Sequence, residues 1–347
     1  MQINAYSTRA DACPHGFTAI DERPRWTRDG QLDQTLIKHL ADFTAFTDQR
    51  SDPLDPTGLA LRHHLRDVQR AYCFDIDISD TAQLRQLNDW AEEANAVLVA
   101  DGAVLDPQGR PLLPGSHGNP TGRVPIMPEA TQRAALARMW LGEAKNIQVP
   151  PALPPVRSLT ELTPRDGRTT ALRTIALVMV ADFASSVTAG NPLDPNRMRQ
   201  AFPQSFEVLT PAERDLLASR DPHAALQLSW RIEAAQELLW ALGRTTLDWP
   251  AHSCVTEQVK SAVLARGEQA FLADAALIQL AGLLDEYEGL YSVSWALDRA
   301  HSRGGSIPGT DAEVVSERLS ALSWLLNRDI DWDDADTRDH YPAELAV

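Results

Sequence analysis

LTPAERDLLASRDPHAALQLSWRIEAAQELLWALG, residues 209–243, carries helix punctuation from one end to the other. Thr210 is a side-chain acceptor ahead of the first turn, Pro211 fills a position that needs no N–H, and Glu213 completes a capping box, so a helix starts there. Asp221-Pro222 repeats the device and opens a helix expected to run to Leu242. Gly243 then stands where a left-handed residue ends a helix.

Working outward, the same grammar continues. Thr310 and Glu313 form a box before Val314 to Leu326, with Asn327 as the stop. Upstream, a helix from Glu129 to about Asn146 is ended by Pro150, Pro151, Pro154 and Pro155, which impose an extended stretch. The apolar run Ile175 to Ala181 is too short to cross a bilayer, which takes ~20 residues, and reads as part of a buried helix. No strand pattern of comparable strength appears between residues 129 and 327, so residues 128–340 are expected to form an all-α domain.

The first hundred residues mix two periods. Gln2 to Ser7 alternates like a strand, while Leu32 to Phe46 repeats at helical spacing. Tyr72 to Ile78 reads as a strand with Phe74, Ile76 and Ile78 on one face; Leu84, Leu87, Trp90 and Ala94 form a helical stripe closed by Asn95. Ala96 to Ala100 and Ala103 to Leu105 flank Asp101-Gly102, a strong short hairpin signal. Residues 1–106 are therefore expected to be a small α+β domain. Residues 107–127, dense in proline and glycine, read as a linker. The fold class is α+β: a small N-terminal α+β domain followed by an all-α helical C-terminal domain.

Three groups of residues in the C-terminal part carry a resemblance: Leu209 to Glu213, Trp230-Arg231-Ile232-Glu233-Ala234, and Leu238-Leu239-Trp240-Ala241-Leu242-Gly243. With them go Leu153-Pro154-Pro155 before a helix Thr170 to Ala184, Tyr291 with Trp295-Ala296, and Glu317-Arg318 with Ala321 to Trp324 before Asp331-Trp332-Asp333-Asp334. In this order they resemble the domain-of-unknown-function family numbered 4272, over about residues 128–337. Ser292-Val293-Ser294 departs from its pattern, which has a basic residue after the tyrosine. The resemblance implies a bacterial cytosolic protein and brings no catalytic residues with it.

Composition narrows the functional classes. Asp and Glu number 48 against 32 Lys and Arg, a formal net charge of −16, and such a surface repels nucleic-acid backbones and anionic lipid while favouring a basic partner. The first residues, Met1 to Tyr6, have no signal-peptide pattern. Cys13, Cys73 and Cys254 are odd in number and far apart, as in a reducing compartment. A cytoplasmic location is expected, without membrane or nucleic-acid contacts.

On the expected helix from Asp221 to Leu242, Trp230, Glu233, Glu237 and Trp240 fall along one stripe. A carboxylate among buried tryptophans needs a partner, and Arg318, at the edge of the apolar face formed by Val314, Val315, Leu319, Leu322 and Leu325, is the expected one. Asp285 and Tyr291 complete a candidate polar cluster; Trp295 and Trp324 join Trp230 and Trp240 as aromatic packing. No Glu-x-x-His motif supports a di-metal reading. Asp329, Asp331, Asp333, Asp334 and Asp336 fail as a calcium loop, since Asp334 stands where glycine is required and His340 where a bidentate glutamate is. His252-Ser253-Cys254 and Cys13-Pro14-His15 are too short a ligand set for zinc. His63-His64 is expected to be exposed, and Gly115 to Gly122 lacks the lysine of a phosphate loop. No metal or cofactor is expected.

Two functions follow as expectations. The first is a non-catalytic interaction protein that binds a basic partner, an immunity-type neutraliser of a basic toxin being one form of it. The alternative is an enzyme using the carboxylates of Glu233, Glu237 and Asp285 in a helical cleft.

Overall fold

The computed structural model describes residues 1–27, 29–51, 55–115, 119–328 and 330–334. The chain divides into two compact units, one built from residues 1–133 and 150–162, the other from 134–149 and the described residues from 163 on. The first carries β1 (Gln2–Ser7), β2 (Thr18–Pro24), α1 (Gln34–Asp48), α2 (Pro56–Asp67), β3 (Arg70–Asp75), α3 (Thr81–Glu93), β4 (Ala96–Ala100) and β5 (Ala103–Leu105). After α4 (Pro128–Lys145), the second carries α5 (Gly167–Thr188), α6 (Pro195–Ala201), α7 (Pro203–Glu207), α8 (Pro211–Ser219) and α9 (Pro222–Leu228). It continues with α10 (Arg231–Ala241), α11 (Thr256–Leu264), α12 (Glu268–Ala273), α13 (Leu280–Ser302) and α14 (Ala312–Leu326). The fold class is α+β, with a sheet unit followed by a helical one.

In the first unit the five strands form one antiparallel sheet in the order β2-β3-β1-β4-β5. Alternation decides its faces. Ile3, Ala5, Tyr72, Phe74, Ala96 and Leu98 meet Leu87, Trp90 and Ala91 of α3 on one face. On the other, Tyr6, Val97 and Val104 meet Leu36, Leu40 and Phe43 of α1 and Leu61 and Leu65 of α2. The β4–β5 turn uses Asp101 at φ 48° and Gly102 at φ 75°, the left-handed pair that a tight hairpin requires. Asn95, at φ 47°, closes α3.

Several expectations change. β3 ends at Asp75, and Ile78 lies beyond it, 52% exposed. His64 is buried, its Nε2 2.9 Å from the Tyr6 carbonyl, because it faces the sheet rather than solvent. β2 has no counterpart in the sequence pattern: Thr18 to Arg23 are all exposed, so no apolar alternation marks them. In the stretch read as a linker, Leu112 and Leu113 are buried in the α1–α2 core, and Gly122 sits where a Cβ would stand 2.6 Å from the Arg110 carbonyl oxygen. Its Ser116, His117 and Gly118 lie outside the described residues.

Residues 150–162 also belong to the sheet unit. Ser158 and Glu161 form a capping box around a 3-10 turn, and Glu161 accepts from Thr8 and from Asn95 Nδ2, the latter at 3.0 Å.

The helical unit is organised on α5, whose residues Ile175 to Ala181 are all essentially inaccessible. Its length and apolarity would allow it to cross a membrane, yet 72% of that window is buried inside the protein. It is a core helix against which α9 and α10 pack, with α10 also packed on α14. The capping box at Thr210 and Glu213 and the Asp221 cap form as expected. The helix expected from Asp221 to Leu242 is two helices, α9 and α10, broken at Ser229 and Trp230, where the Ser229 hydroxyl donates back to the Leu226 carbonyl at 2.7 Å. At α14 the cap is Asp311 rather than Thr310, its carboxylate accepting from the amides of Glu313 and Val314.

Candidate functional site

The carboxylates of α10 lie in its interior-facing stripe. Glu233, in the first turn, has no exposed surface; its Oε1 accepts from the Cys254 amide at 2.6 Å, and its Oε2 lies 3.6 Å from Arg318 Nη2. The pairing is an ion pair without a second parallel hydrogen bond, because Arg318 spends Nη1 on the Asp248 carbonyl at 2.8 Å and turns Nη2 also toward Gln236 Oε1. Glu237, one turn further on, is equally buried, and neither of its oxygens has a hydrogen-bond partner. Burial lifts its carboxyl well above the ordinary value of 4.5, the nearby Glu286 and Glu233 push the same way, and Arg318 opposes them. Burial and Glu233 together push the Cys254 thiol up to about 12, so it is an inert neutral group.

Glu233, Glu237 and Arg318 thus come together as the sequence stripes imply. Asp285 does not join them. It is exposed on α13, and the next residue, Glu286, supplies the carboxylate that α10 meets. Tyr291 is buried on the same helix and belongs with a different pair, in which Arg138 Nη2 lies 3.9 Å from Glu288 Oε1. Burial lowers the Arg138 guanidinium while Glu288 holds it up. Among the tryptophans, Trp295 and Trp324 are buried and Trp230 and Trp240 are half-buried, Trp230 because it occupies the break ahead of α10.

Two further arginine–glutamate pairs lie in this unit. Arg173 of α5 grips both oxygens of Glu213, with Nη1 at 2.9 Å from Oε2, while Glu213 also accepts from the Thr210 amide at 2.9 Å. Arg231 Nη1 stands 3.2 Å from both oxygens of Glu317. The capping box exposed the role of Glu213 in advance, but nothing in the spacing pointed to Arg173.

The surface holds a feature that the sequence reading passed over. Leu136, Met139 and Trp140 of α4 are 55%, 54% and 49% exposed, although they are large and apolar. Their spacing, i, i+3 and i+4, sets them on one face. Trp140 meets Trp249 with ring centroids 5.6 Å apart, and the Lys145 ammonium lies 4.2 Å from the Trp249 centroid. Trp249 is anchored by its Nε1, which donates to the Gly309 carbonyl at 2.9 Å. The signal that α4 is apolar on more than one side was present in the sequence, since Ala130, Ala134 and Leu141 occupy its buried face.

Among the described residues, no three His, Cys, Asp or Glu side chains come together in a group able to hold a metal ion. In the C-terminal acidic run, Trp332 is buried against Trp324, centroids 5.3 Å apart; Asp329, Asp336 and His340 lie outside the described residues.

A family model described as "Domain of unknown function (DUF4272)" matches residues 139–335. No curated protein and no solved structure matches the chain.

Proposed function

Since the chain belongs to the DUF4272 family, whose description carries no activity, we propose its function from its own residues: a non-catalytic cytoplasmic interaction protein whose helical unit docks a basic protein partner. The observation that carries this reading is the α4 face, where Leu136, Met139 and Trp140 stand half-exposed beside Trp249. Large apolar side chains grouped on a surface mark interaction sites, and tryptophan and methionine are enriched at interface centres. A formal net charge of −16 adds long-range attraction for a basic partner and speeds the encounter. The enzyme reading ranks second because Glu233 and Glu237 have no exposed surface for a substrate to reach, and Asp285 stands apart from them.

The test is comparative affinity capture from cells that encode the protein, with wild type and the Leu136→Glu, Trp140→Ala double variant, followed by mass spectrometry and a binding titration of the recovered protein. The expected result is one basic protein retained by wild type and bound at least about tenfold more weakly by the variant, with an unchanged circular dichroism spectrum. Recovery of the same proteins by both, or of an acidic partner, overturns the reading.

A further inference from the structure

The sheet unit carries a notch on the face of the sheet that α1 partly covers. Strand register builds it. Asn4 of β1 stands opposite Cys73 of β3, and Cys73 opposite Asp21 of β2, so these three form one row on one face; Tyr6, Ala71 and Arg23 form the next. The middle strand thus contributes two small side chains, and its flanking strands carry larger ones. Over Ala71 and Cys73 the surface is depressed, with Tyr6 on one side and Asp21 and Arg23 on the other, and α1 overhangs it with Thr35, Leu36 and His39. The volume is about 270 Å³, close to the lower end of the ~300–1,000 Å³ of small-molecule sites.

The chemistry of the two walls differs. On one side the Tyr6 hydroxyl and His39 Nε2 lie 2.7 Å apart with their rings stacked, a polar pair. On the other, Arg23 donates through Nε to Asp21 Oδ2 at 2.6 Å. That geometry leaves the terminal Nη donors of Arg23 and the second oxygen of Asp21 directed to other uses. The paired charges of this wall sum to zero, so an anion drawn to Arg23 is repelled by Asp21, and a cation the reverse. A molecule carrying both charges one carbon apart meets both groups at once.

We propose that this notch binds a free α-amino acid. Its carboxylate lies on the Nη groups of Arg23, its ammonium on Asp21, and its side chain runs over Ala71 and Cys73 toward Tyr6 and His39. The two walls sit on strands separated by β3, roughly 10 Å apart from the ~4.8 Å spacing of neighbouring strands, a span that an extended amino acid crosses. The exposed strand β2, which the core does not require, thereby acquires a use: it holds the charged wall.

Isothermal titration calorimetry of the full chain tests the assignment, with every protein amino acid as a separate probe and with acetate and ethylamine as single-charge controls. One or a few amino acids should bind, and both controls should bind at least about tenfold more weakly, equivalent to ~1.4 kcal/mol. Arg23→Gln lies on an exposed strand and should cost binding by at least about tenfold with the melting temperature unchanged, as should Ala71→Leu, which fills the notch. The proposal is overturned if no amino acid releases heat at millimolar concentration, if acetate or ethylamine binds equally well, or if both variants bind as wild type does.

Discussion

The sheet unit and the helical unit differ in how they hold several of their buried carboxylates, although Glu268 of the helical unit is also amide-held, by Gln204 and Ser205, and Asp67 of the sheet unit faces Arg157. In the sheet unit, Asp106 accepts from the amides of Gln108, Arg110 and Arg123, and Glu161 from the Ser158 amide and the Asn95 side chain. In the helical unit Glu213, Glu233, Glu288 and Glu317 each face an arginine carried by another helix. An amide-held carboxylate depends mainly on the conformation of a nearby loop. A glutamate held by a distant arginine ties two helices together, and loss of either partner strands a charge in the interior. The difference predicts which unit tolerates removal of a charge.

The largest effect is expected at Arg173. Arg173→Met leaves Glu213 buried without its two-point partner, and the helical unit should lose about 3–5 kcal/mol. Seven of the nine tryptophans lie in this unit, so urea unfolding followed by their fluorescence reads it directly. Arg110→Met, which removes a half-exposed arginine from the amide-held Asp106, serves as the counterpart in the sheet unit, with an expected change of about 0–1 kcal/mol. Equal losses at the two positions would break the comparison.

A smaller loss is expected at Glu233, where the ion pair is longer and each partner keeps a neutral hydrogen bond, to the Cys254 amide and the Asp248 carbonyl. Glu233→Gln preserves the acceptor for Cys254 and removes only the charge facing Arg318. The cost should stand near the lower end of the range, about 3 kcal/mol, and adding Arg318→Met should recover part of it, since removing both members of a buried pair is milder than removing one. A melting temperature equal to wild type would assign Glu233 to function rather than to the fold.

The legibility of these features followed their range along the chain. Helix starts at Thr210 and Asp221 and the hairpin at Asp101-Gly102 were readable because each is decided within about four residues. Glu233 and Arg318 were matched from afar because both sit at the edges of apolar stripes that have to face other helices. Arg173 and Arg138 were not, since a long side chain reaches across elements in a direction that spacing does not encode. β2 left no mark because all of it but its half-buried last residue is exposed, and the notch above Ala71 exists only through the register of three strands whose residues lie up to about seventy positions apart. The break at Trp230 is hidden by a stripe that continues across it, and Asp285 and Glu286 differ by a one-residue rotation on α13 that a periodic pattern does not resolve.

Glu237 is a buried carboxylate of the helical unit with no hydrogen-bond partner, and its removal should change stability in the opposite sense to that of Arg173 or Glu233. Its two oxygens are buried without hydrogen bonds, and the charged groups around it are Glu286 and Glu233, which repel a negative charge, and Arg318, which is already committed to Glu233 and Asp248. Burial is the largest influence, so the carboxyl is protonated in the fold at pH values where it ionises in the unfolded chain. A group raised in this way contributes stability that is complete below its ordinary value of 4.5 and is lost as pH rises toward and through its folded value. Glu286 and Glu317, both raised chiefly by burial, act in the same direction. The helical unit should therefore weaken as pH rises above the ordinary carboxyl value of 4.5, the reverse of what carboxylates held ionised would give. Glu237→Leu removes an unsatisfied buried polar group and should add about 1–3 kcal/mol near pH 8, while flattening part of that slope and leaving the share due to Glu286 and Glu317. Urea transitions at the ordinary carboxyl value and near pH 8, for wild type and Glu237→Leu, separate the cases. If the variant is less stable than wild type near pH 8, Glu237 is ionised and partnered after all, and it joins Glu213 and Glu233 as a carboxylate that the helical unit needs charged.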